Sequence, residues 1–193
     1  MNKVLLDCDG VLLDWVAGFK NWLQIRKNIT PKGDCPNMYD MAEWIGAPTD
    51  QVMKLINEFN TEAKEFGDLP AEPGAQKFLE TLRREHELII ISSCSDNPNT
   101  VYQRERNLME AFGDIFADII LVPLGQSKAD HLKKFERSLW VEDSYSNGLL
   151  GLELGHEAVM VRKPYNIMHE GEHPDMRWVD TVCQVNYAPA PTL

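Results

Sequence analysis

Two carboxylates separated by one residue, Asp7 and Asp9, follow a short apolar run near the start of the chain. The run, Val4-Leu5-Leu6, has the length of a buried strand and is too short to span a membrane. If the extended conformation continues through Cys8, both carboxylates lie on one side of the backbone, and Gly10 then allows a tight turn. Close carboxylates repel each other and need a shared proton or a cation, and oxygen ligands favour Mg²⁺. The plainer interpretation is a strand that ends in a polar Asp-Gly turn.

Polar residues also follow two later apolar runs. Ser92 and Ser93 come after the second strand, Glu142 and Asp143 come after the fourth, and Lys128 begins the helix between the third and fourth. Alone, the serines are typical turn formers, the lysine a solvated charge and the acidic pair a helix cap. Placed together at one sheet edge, a carboxylate nucleophile, a second carboxylate, hydroxyls, an ammonium and a distant metal ligand are what phosphoryl transfer requires.

The elements that must position these groups form an alternating pattern. Nearly continuous apolar runs separated by helical segments predict an α/β fold, with a parallel sheet covered by helices on both faces. Ligands of such sheets bind at the carboxyl ends of the strands. The predicted strands are 4–6, 88–91, 119–122, 139–141 and 158–161, and helices are predicted at about 101–112 and 128–135.

A helical insert interrupts the pattern after the first strand. Helical spacing predicts a helix over about 15–27, a short one near 38–45 and a longer one from residue 49, with a stripe of Val52, Ile56, Phe59, Ala63 and Phe66. We therefore expect a core domain of residues 1–14 and 71–193 and a small helical cap of residues 15–70. The tail, 186–191, has the composition of a frayed end.

Composition excludes several classes of partner. The 193 residues carry 19 basic and 30 acidic side chains, a net charge of −11, with 44% apolar residues. This charge argues against a nucleic-acid polymer or an anionic membrane surface as partner, and a phosphate site would need local cations. From the sequence pattern we expect no signal peptide or transmembrane run, and the four cysteines form no paired motif. These features favour a reducing, cytoplasmic location.

Four ordered motifs resemble those of the haloacid dehalogenase (HAD) superfamily. They are Asp7-Cys8-Asp9-Gly10 followed by Val11 and Asp14, then Ser92, then Lys128, then Glu142-Asp143 with Asn147 four residues on. The resemblance implies a HAD-like, Rossmann-like fold in which Asp7 attacks phosphorus and Asp9 is the acid and base. It further implies Mg²⁺ held by Asp7, the carbonyl of Asp9 and Asp143, with Glu142 and Asn147 in support. Ser92, Ser93 and Lys128 would then hold the transferring oxygens.

The position of the insert resembles the C1 caps of this superfamily, and the chain is most similar there to the 5′(3′)-deoxyribonucleotidases. The similar features are Trp15 directly after the first motif, the segment Leu69-Pro70-x-x-Pro73-Gly74-Ala75, and the Ser92-Ser93 pair. An acid at Asp9 resembles phosphatases and mutases rather than dehalogenases. One departure is Gln126, where that family has an arginine, so a phosphate or sugar contact is altered or missing.

The predicted function is a Mg²⁺-dependent phosphomonoesterase that acts on a small phosphate ester, a nucleoside monophosphate above all. A sugar-phosphate phosphatase or mutase of the same fold is an alternative, and a non-catalytic phosphate-binding protein is another. Trp15 and Phe19 lie one helical turn apart and are candidates to face the substrate, although an aromatic stripe is more often core. The sequence leaves the oligomeric state open, a homodimer included.

The segment His169-Glu170-Gly171-Glu172-His173 matches the zinc-protease pattern H-E-x-x-H. Gly171 within it, the flanking prolines and the lack of an apolar stripe argue against a helix, so we expect a surface loop without zinc.

Overall fold

The computed structural model describes residues 2–186. It contains six strands and seven α-helices in this part of the chain, in the order β1 (Asn2–Leu6), α1 (Trp15–Trp22), α2 (Ala42–Ile45), α3 (Thr49–Glu62), α4 (Ala75–Leu82), β2 (His86–Cys94), α5 (Pro98–Phe112), β3 (Phe116–Pro123), α6 (Ala129–Leu132), β4 (Leu139–Glu142), α7 (Tyr145–Glu153), β5 (Glu157–Val161) and β6 (Arg177–Val179). None of the helices in this range is long and apolar enough to cross a bilayer.

The six strands form one parallel sheet in the order β3-β2-β1-β4-β5-β6. The strand β1 lies inside the sheet, where Leu6 pairs with Ile90 of β2 on one side and with Val141 of β4 on the other. The strand ends that carry polar residues in the sequence are therefore neighbours. The predicted α/β fold is confirmed, but β6 was missed, because three residues without an apolar run give no strand pattern.

Alternation along β1 divides the core between the two faces of the sheet. Val4 and Leu6 belong to one buried cluster, which includes side chains of α4 and α5. Leu5 belongs to the other cluster, against which residues of α6 and α7 pack. Helices therefore cover both faces, as a parallel sheet requires.

Helices α1 to α3 lie between β1 and α4 and pack around an aromatic cluster, which comprises Phe19, Trp22, Trp44, Phe59 and Phe66. The side chain of Asp14 caps α1 by accepting from the backbone N–H of Ala17 at 2.9 Å. The two connections to the sheet pair with each other, since Asp14 N donates to Pro70 O and Glu72 N to Leu12 O, both at 2.8 Å. The division into core and cap remains a prediction, and this paired ribbon lies at its expected boundaries.

Several predicted helices differ in length from the observed ones. The helix expected over 15–27 is α-helical to Trp22 and continues as a π-helical segment, Leu23–Lys27. The stripe expected through Phe66 is interrupted where α3 ends at Glu62. Val52 and Phe59 within α3 are buried, as are Ala63 and Phe66 beyond it, whereas Ile56 is only half-buried. The helix expected at 128–135 shortens to Ala129–Leu132. The predicted frayed end lies, from residue 187 on, outside the described residues.

Candidate active site

Asp7 directly follows β1 and is almost fully buried, with 6% of its surface exposed. Its backbone N–H donates to Val141 O at 2.9 Å, so the sheet ladder holds the main chain here. The side-chain Oδ1 accepts a hydrogen bond from Lys128 Nζ at 2.8 Å. Within residues 2–186 the other oxygen, Oδ2, accepts no hydrogen bond. One oxygen of this carboxylate is thus fixed by a cation and the other remains available to a ligand.

Lys128 is buried between two carboxylates, because its Nζ also donates to Glu142 Oε1 at 2.7 Å. Burial by itself lowers the pKa of the ammonium, but the charges of Asp7 and Glu142 outweigh it and hold the pKa above its ordinary value. The lysine therefore stays charged at neutral pH. Lys128 is therefore a local cation of the kind that a phosphate site in this acidic protein requires.

Glu142, at the end of β4, accepts four hydrogen bonds. Oε1 accepts from Lys128 and from Asn147 Nδ2, and Oε2 accepts from the backbone N–H groups of Asp143 and Ser144 at 2.8 Å each. Each oxygen accepts hydrogen bonds from two donors, so this carboxylate positions Lys128 and the loop that follows β4. Asn147 supports the site by donating this hydrogen bond to Glu142.

Asp143 stands opposite Asp7 across the turn at Gly10. Its Oδ2 accepts from the hydroxyl of Tyr165 at 2.5 Å, and its backbone carbonyl accepts from Asn166 Nδ2 at 2.8 Å. Burial, then the charges of Glu142 and Asp7, raise the pKa of Asp143 well above its ordinary value. A Cβ at Gly10 would lie 2.4 Å from Asp143 Oδ2, and Gly10 has a φ of +75°. Only glycine satisfies both conditions there.

Asp9 pairs with a buried arginine from α5. Arg104 Nη2 lies 2.8 Å from Asp9 Oδ2, and the arginine side chain is fully buried while that of Asp9 is 27% exposed. Burial raises the pKa of Asp9 to about 6, against the lowering effect of the Arg104 charge. An acid with a pKa near neutrality can donate a proton in one step and accept one in the next.

Three carboxylates could hold a divalent cation. Asp7, Glu142 and Asp143 each offer an oxygen, and these oxygens all lie within 4.8 Å of one another. Because both oxygens of Glu142 already accept two hydrogen bonds each, Asp7 and Asp143 are the carboxylates with ligand capacity left. Hard oxygen donors crowded in this way fit Mg²⁺. The residues present therefore suit the predicted metal.

The site opens into a cleft of about 810 Å³ between the sheet edge and helices α1 and α3. From the sheet side, it is lined by Asp7, Asp9, Ser92, Ser93, Lys128 and Asp143, and Asn147 also reaches it. From the helical side, it is lined among others by Trp15, Lys20, Asn21, Gln24, Ile56 and Asn60. The structure thus brings together the predicted nucleophile, acid, phosphate-binding and metal residues in one concave site.

Of the two aromatics predicted to face the substrate, the structure places only Trp15 on the cleft. Its indole Nε1 donates to Asn60 Oδ1 at 2.8 Å, and its ring lies 4.7 Å from that of Phe19. Phe19 is fully buried among Trp22, Trp44 and Phe59 and does not line the cleft. The expectation that Phe19 faces the crevice is wrong, because the other helices bury its side of α1.

The lysines that line the cleft are each paired with a carboxylate. Lys20 Nζ contacts Asp34 Oδ1 at 2.7 Å, Lys163 is paired with Glu72, and Lys128 is held as described above. Gln126 is exposed on the loop after β3 and does not line the cleft.

The H-E-x-x-H segment is not a helix that presents two histidines to a metal. The ring of His169 stacks on Tyr145 at 4.5 Å, and its Nδ1 lies 3.1 Å from Glu172. In the described part of the chain, the acidic cluster at Asp7 is the one group of three or more His, Cys, Asp or Glu side chains whose ligand atoms lie within 4.8 Å of one another.

Comparison with solved structures identifies the fold. A haloacid dehalogenase-like hydrolase from Streptococcus pneumoniae is similar over 95% of this chain and 96% of its own, with a TM-score of 0.65 at 15% identity. The fold is that of the HAD-like hydrolases. D,D-heptose 1,7-bisphosphate phosphatase from B. bronchiseptica, in complex with magnesium and phosphate, has a TM-score of 0.59 at 13% identity over 94% of each chain.

An L-2-haloacid dehalogenase also shares the fold, with a TM-score of 0.59 at 12% identity over 95% of this chain and 96% of its own. At such identities the likeness concerns the fold alone. No protein-family model matches the sequence. No curated protein sequence matches it either.

Sequence reasoning missed the partners of the acidic residues. Tyr165 and Asn166 follow β5, and the rule that strand ends share one edge would have found them had it been applied to the fifth strand. Arg104 lies between Val101 and Leu108 at helical spacing. A charge in line with apolar residues on one helix face indicates a buried ion, and this was the available signal.

Proposed function

We propose that this protein is a Mg²⁺-dependent phosphomonoesterase that forms an aspartyl-phosphate on Asp7. One observation supports this proposal above all. A carboxylate fixed by a buried lysine, an acid with a pKa near 6 two residues later, and a further carboxylate across the turn all face one cleft. A nucleophile, a proton donor and ligands for a divalent cation are the parts that phosphoryl transfer needs.

In the first step, one carboxylate oxygen of Asp7 attacks phosphorus, and the bond between phosphorus and the ester oxygen breaks. Protonated Asp9 gives its proton to the leaving oxygen, so the alcohol departs neutral. Lys128 stabilises the negative charge of the transferring group, and the hydroxyls of Ser92 and Ser93 donate to its oxygens. Mg²⁺, held by Asp7, Asp143 and the carbonyl of Asp9, would screen the repulsion between the carboxylates and the phosphate.

In the second step, water attacks the phosphorus of the aspartyl-phosphate. The carboxylate of Asp9 accepts the proton of that water, the bond between phosphorus and the Asp7 oxygen breaks, and inorganic phosphate leaves. Asp9 is then protonated and Asp7 is free again, so the cycle closes. The pKa of about 6 for Asp9 suits both roles, since a catalytic acid and base works best near the operating pH.

We propose a nucleoside monophosphate as the substrate. The indole of Trp15 offers a flat face for a base, and the amide side chains of Asn21, Gln24 and Asn60 on the same wall offer hydrogen bonds to its edge. A nucleotide also fits the volume of about 810 Å³. Lys20 and Lys163 on the cleft wall are paired with Asp34 and Glu72, so a second phosphate on the substrate would have to compete with these carboxylates for a cation.

A phosphate-release assay with purified protein tests the proposal. We expect Mg²⁺-dependent turnover of nucleoside monophosphates and slower turnover of the matching 3′,5′-bisphosphates. Preference for a sugar phosphate would change the proposed substrate class and leave the proposed reaction unchanged. Binding of phosphate esters without release of phosphate, with Mg²⁺ present, would show a phosphate-binding protein instead and overturn the proposal.

A further inference from the structure

We infer that Arg104 is a positioning residue that fixes the carboxyl group of Asp9 for proton transfer. The inference rests on the proposed function, because it assigns a role within that same site. Arg104 does not line the cleft, so it acts through Asp9 rather than on the substrate.

Arg104 is held on several sides. Its Nη2 lies 2.8 Å from Asp9 Oδ2, and its Nη1 lies 3.4 Å from Cys8 Sγ. The guanidinium also lies 4.3 Å from the ring centre of Phe66, on the segment that returns from the helical insert. The arginine therefore joins α5, the turn after β1 and the returning segment at the point where Asp9 stands.

Burying the charged side chain of Arg104 costs folding free energy. Arg104 is fully buried, and its Nε has no hydrogen-bond partner within residues 2–186. Buried ion pairs are often replaced by apolar residues without loss of stability, so a pair such as this one gives weak evidence for a structural role. Its contact with the proposed acid gives the more specific explanation.

The geometry also explains what the pair does to Asp9. One oxygen of the carboxyl, Oδ2, accepts from Arg104, whereas Oδ1 has no hydrogen-bond partner within the described residues. Oδ1 is buried, so the carboxyl group reaches the cleft on the side of Oδ2, and the contact between Oδ2 and Arg104 keeps the carboxyl group from rotating freely. Removing Arg104 lets the carboxyl group turn, and proton transfer loses its alignment.

Leaving-group dependence tests this role. The variants are Arg104→Met, which removes the charge, and Arg104→Lys, which keeps it, with Arg106→Met as the matched control. Arg106 lies on the same helix, partly exposed and paired with Asp68. The burst of released alcohol or phenol is measured for a nucleoside monophosphate and for 2,4-dinitrophenyl phosphate, since the burst reports the first step alone.

We expect Arg104→Met to slow the burst with the nucleotide by roughly 10- to 100-fold, a part of what general acid catalysis supplies. The dinitrophenyl ester should change by less than about threefold, because its leaving group needs no proton. Arg104→Lys should recover part of the loss, and Arg106→Met should match the wild type. In an Asp9→Asn background, Arg104→Met should add little further loss, since residues that act as one unit are not additive.

Equal losses with both esters, or full additivity with Asp9→Asn, would overturn the inference while leaving the phosphatase activity in place. If Arg104→Met does not fold, the Arg104→Lys variant gives the same comparison. A wild-type protein without any burst or turnover would instead overturn the proposed function, and the inference with it.

Discussion

Replacing Trp15 by alanine separates the substrate-binding role of this side chain from its packing role. The indole lines the cleft, but it also contacts the rings of Phe19 at 4.7 Å and Phe59 at 5.5 Å. Its Nε1 donates to Asn60 Oδ1 at 2.8 Å. The substitution therefore changes both stability and activity, and each change has its own expected size.

The stability loss follows from the contacts of the indole. Two aromatic pairs and one hydrogen bond contribute about 0.5–1.5 kcal/mol each, so Trp15→Ala should cost roughly 1.5–4.5 kcal/mol of unfolding free energy. Stacking of a base on an aromatic ring is worth about 1–3 kcal/mol, which corresponds to a loss of about 5- to 150-fold in kcat/KM for a nucleotide.

The assay compares a deoxynucleoside 5′-monophosphate with deoxyribose 5-phosphate, which has the same sugar and phosphate but no base. We expect the ratio of the two kcat/KM values to fall by the stacking factor in Trp15→Ala. Trp15→Phe is the matched control, because it keeps an aromatic face and loses the hydrogen bond to Asn60. This control should keep most of the ratio and lose part of the stability in a thermal melt.

The stacking role fails if Trp15→Ala lowers kcat/KM equally for the two substrates while the melting temperature falls. That result would mean that the indole supports the cleft wall and does not contact the base. An unchanged ratio together with an unchanged melting temperature would contradict both roles.

Three further predictions follow from the buried charges. Asp7→Asn should lower phosphate release at least about 100-fold, and higher residual activity would refute the nucleophile assignment. The melting temperature should not fall, because the substitution relieves the repulsion between Asp7 and Asp143. Mg²⁺ should raise the melting temperature by binding the folded state, and EDTA should abolish activity. Ca²⁺ should inhibit, because its coordination shell is larger and less rigid than that of Mg²⁺. Full activity in EDTA after dialysis would refute the metal site. His156 is buried and its ring accepts a hydrogen bond from Ser138 N–H, and burial lowers its pKa. As the pH falls, the imidazole is therefore protonated at a higher pH in the unfolded chain than in the folded one. The melting temperature should consequently fall as the pH drops below about 6.5. His156→Asn, which cannot titrate there, should flatten that slope, and an unchanged slope would contradict the reasoning.

The sequence predicted the sheet and its functional edge because strands buried on both faces leave continuous apolar runs. Asp7 and Asp143 could be placed at one edge since the carboxyl ends of parallel strands meet there. No comparable rule predicts which face of an amphipathic helix meets other helices. Trp15 and Phe19 therefore appeared equivalent, and only the packing of α3 shows that one lines the cleft and the other is buried.

The partners of the acids were harder to predict, because they come from segments distant in sequence. Arg104 reaches Asp9 across 95 positions, and Lys128 reaches Asp7 across 121. Lys128 was found from its place before a strand of the sheet, and the resemblance supplied its role, whereas neither included Arg104. A polar residue on a buried helical stripe was the one available indication, and its partner could be identified only from the folded chain.

The distribution of charge at the site gives an independent reason to expect a divalent cation. Within residues 2–186, the carboxylates of Asp7, Asp9, Glu142 and Asp143 are paired with two buried cations, the side chains of Lys128 and Arg104. With all groups ionised, two negative charges are left uncompensated in a largely dry environment, and one divalent ion neutralises that charge. Without the ion, burial and then the charges of Glu142 and Asp7 favour a proton on Asp143, whose pKa is raised well above its ordinary value. Magnesium and protons should therefore compete for this site, and the affinity for Mg²⁺ should increase with pH.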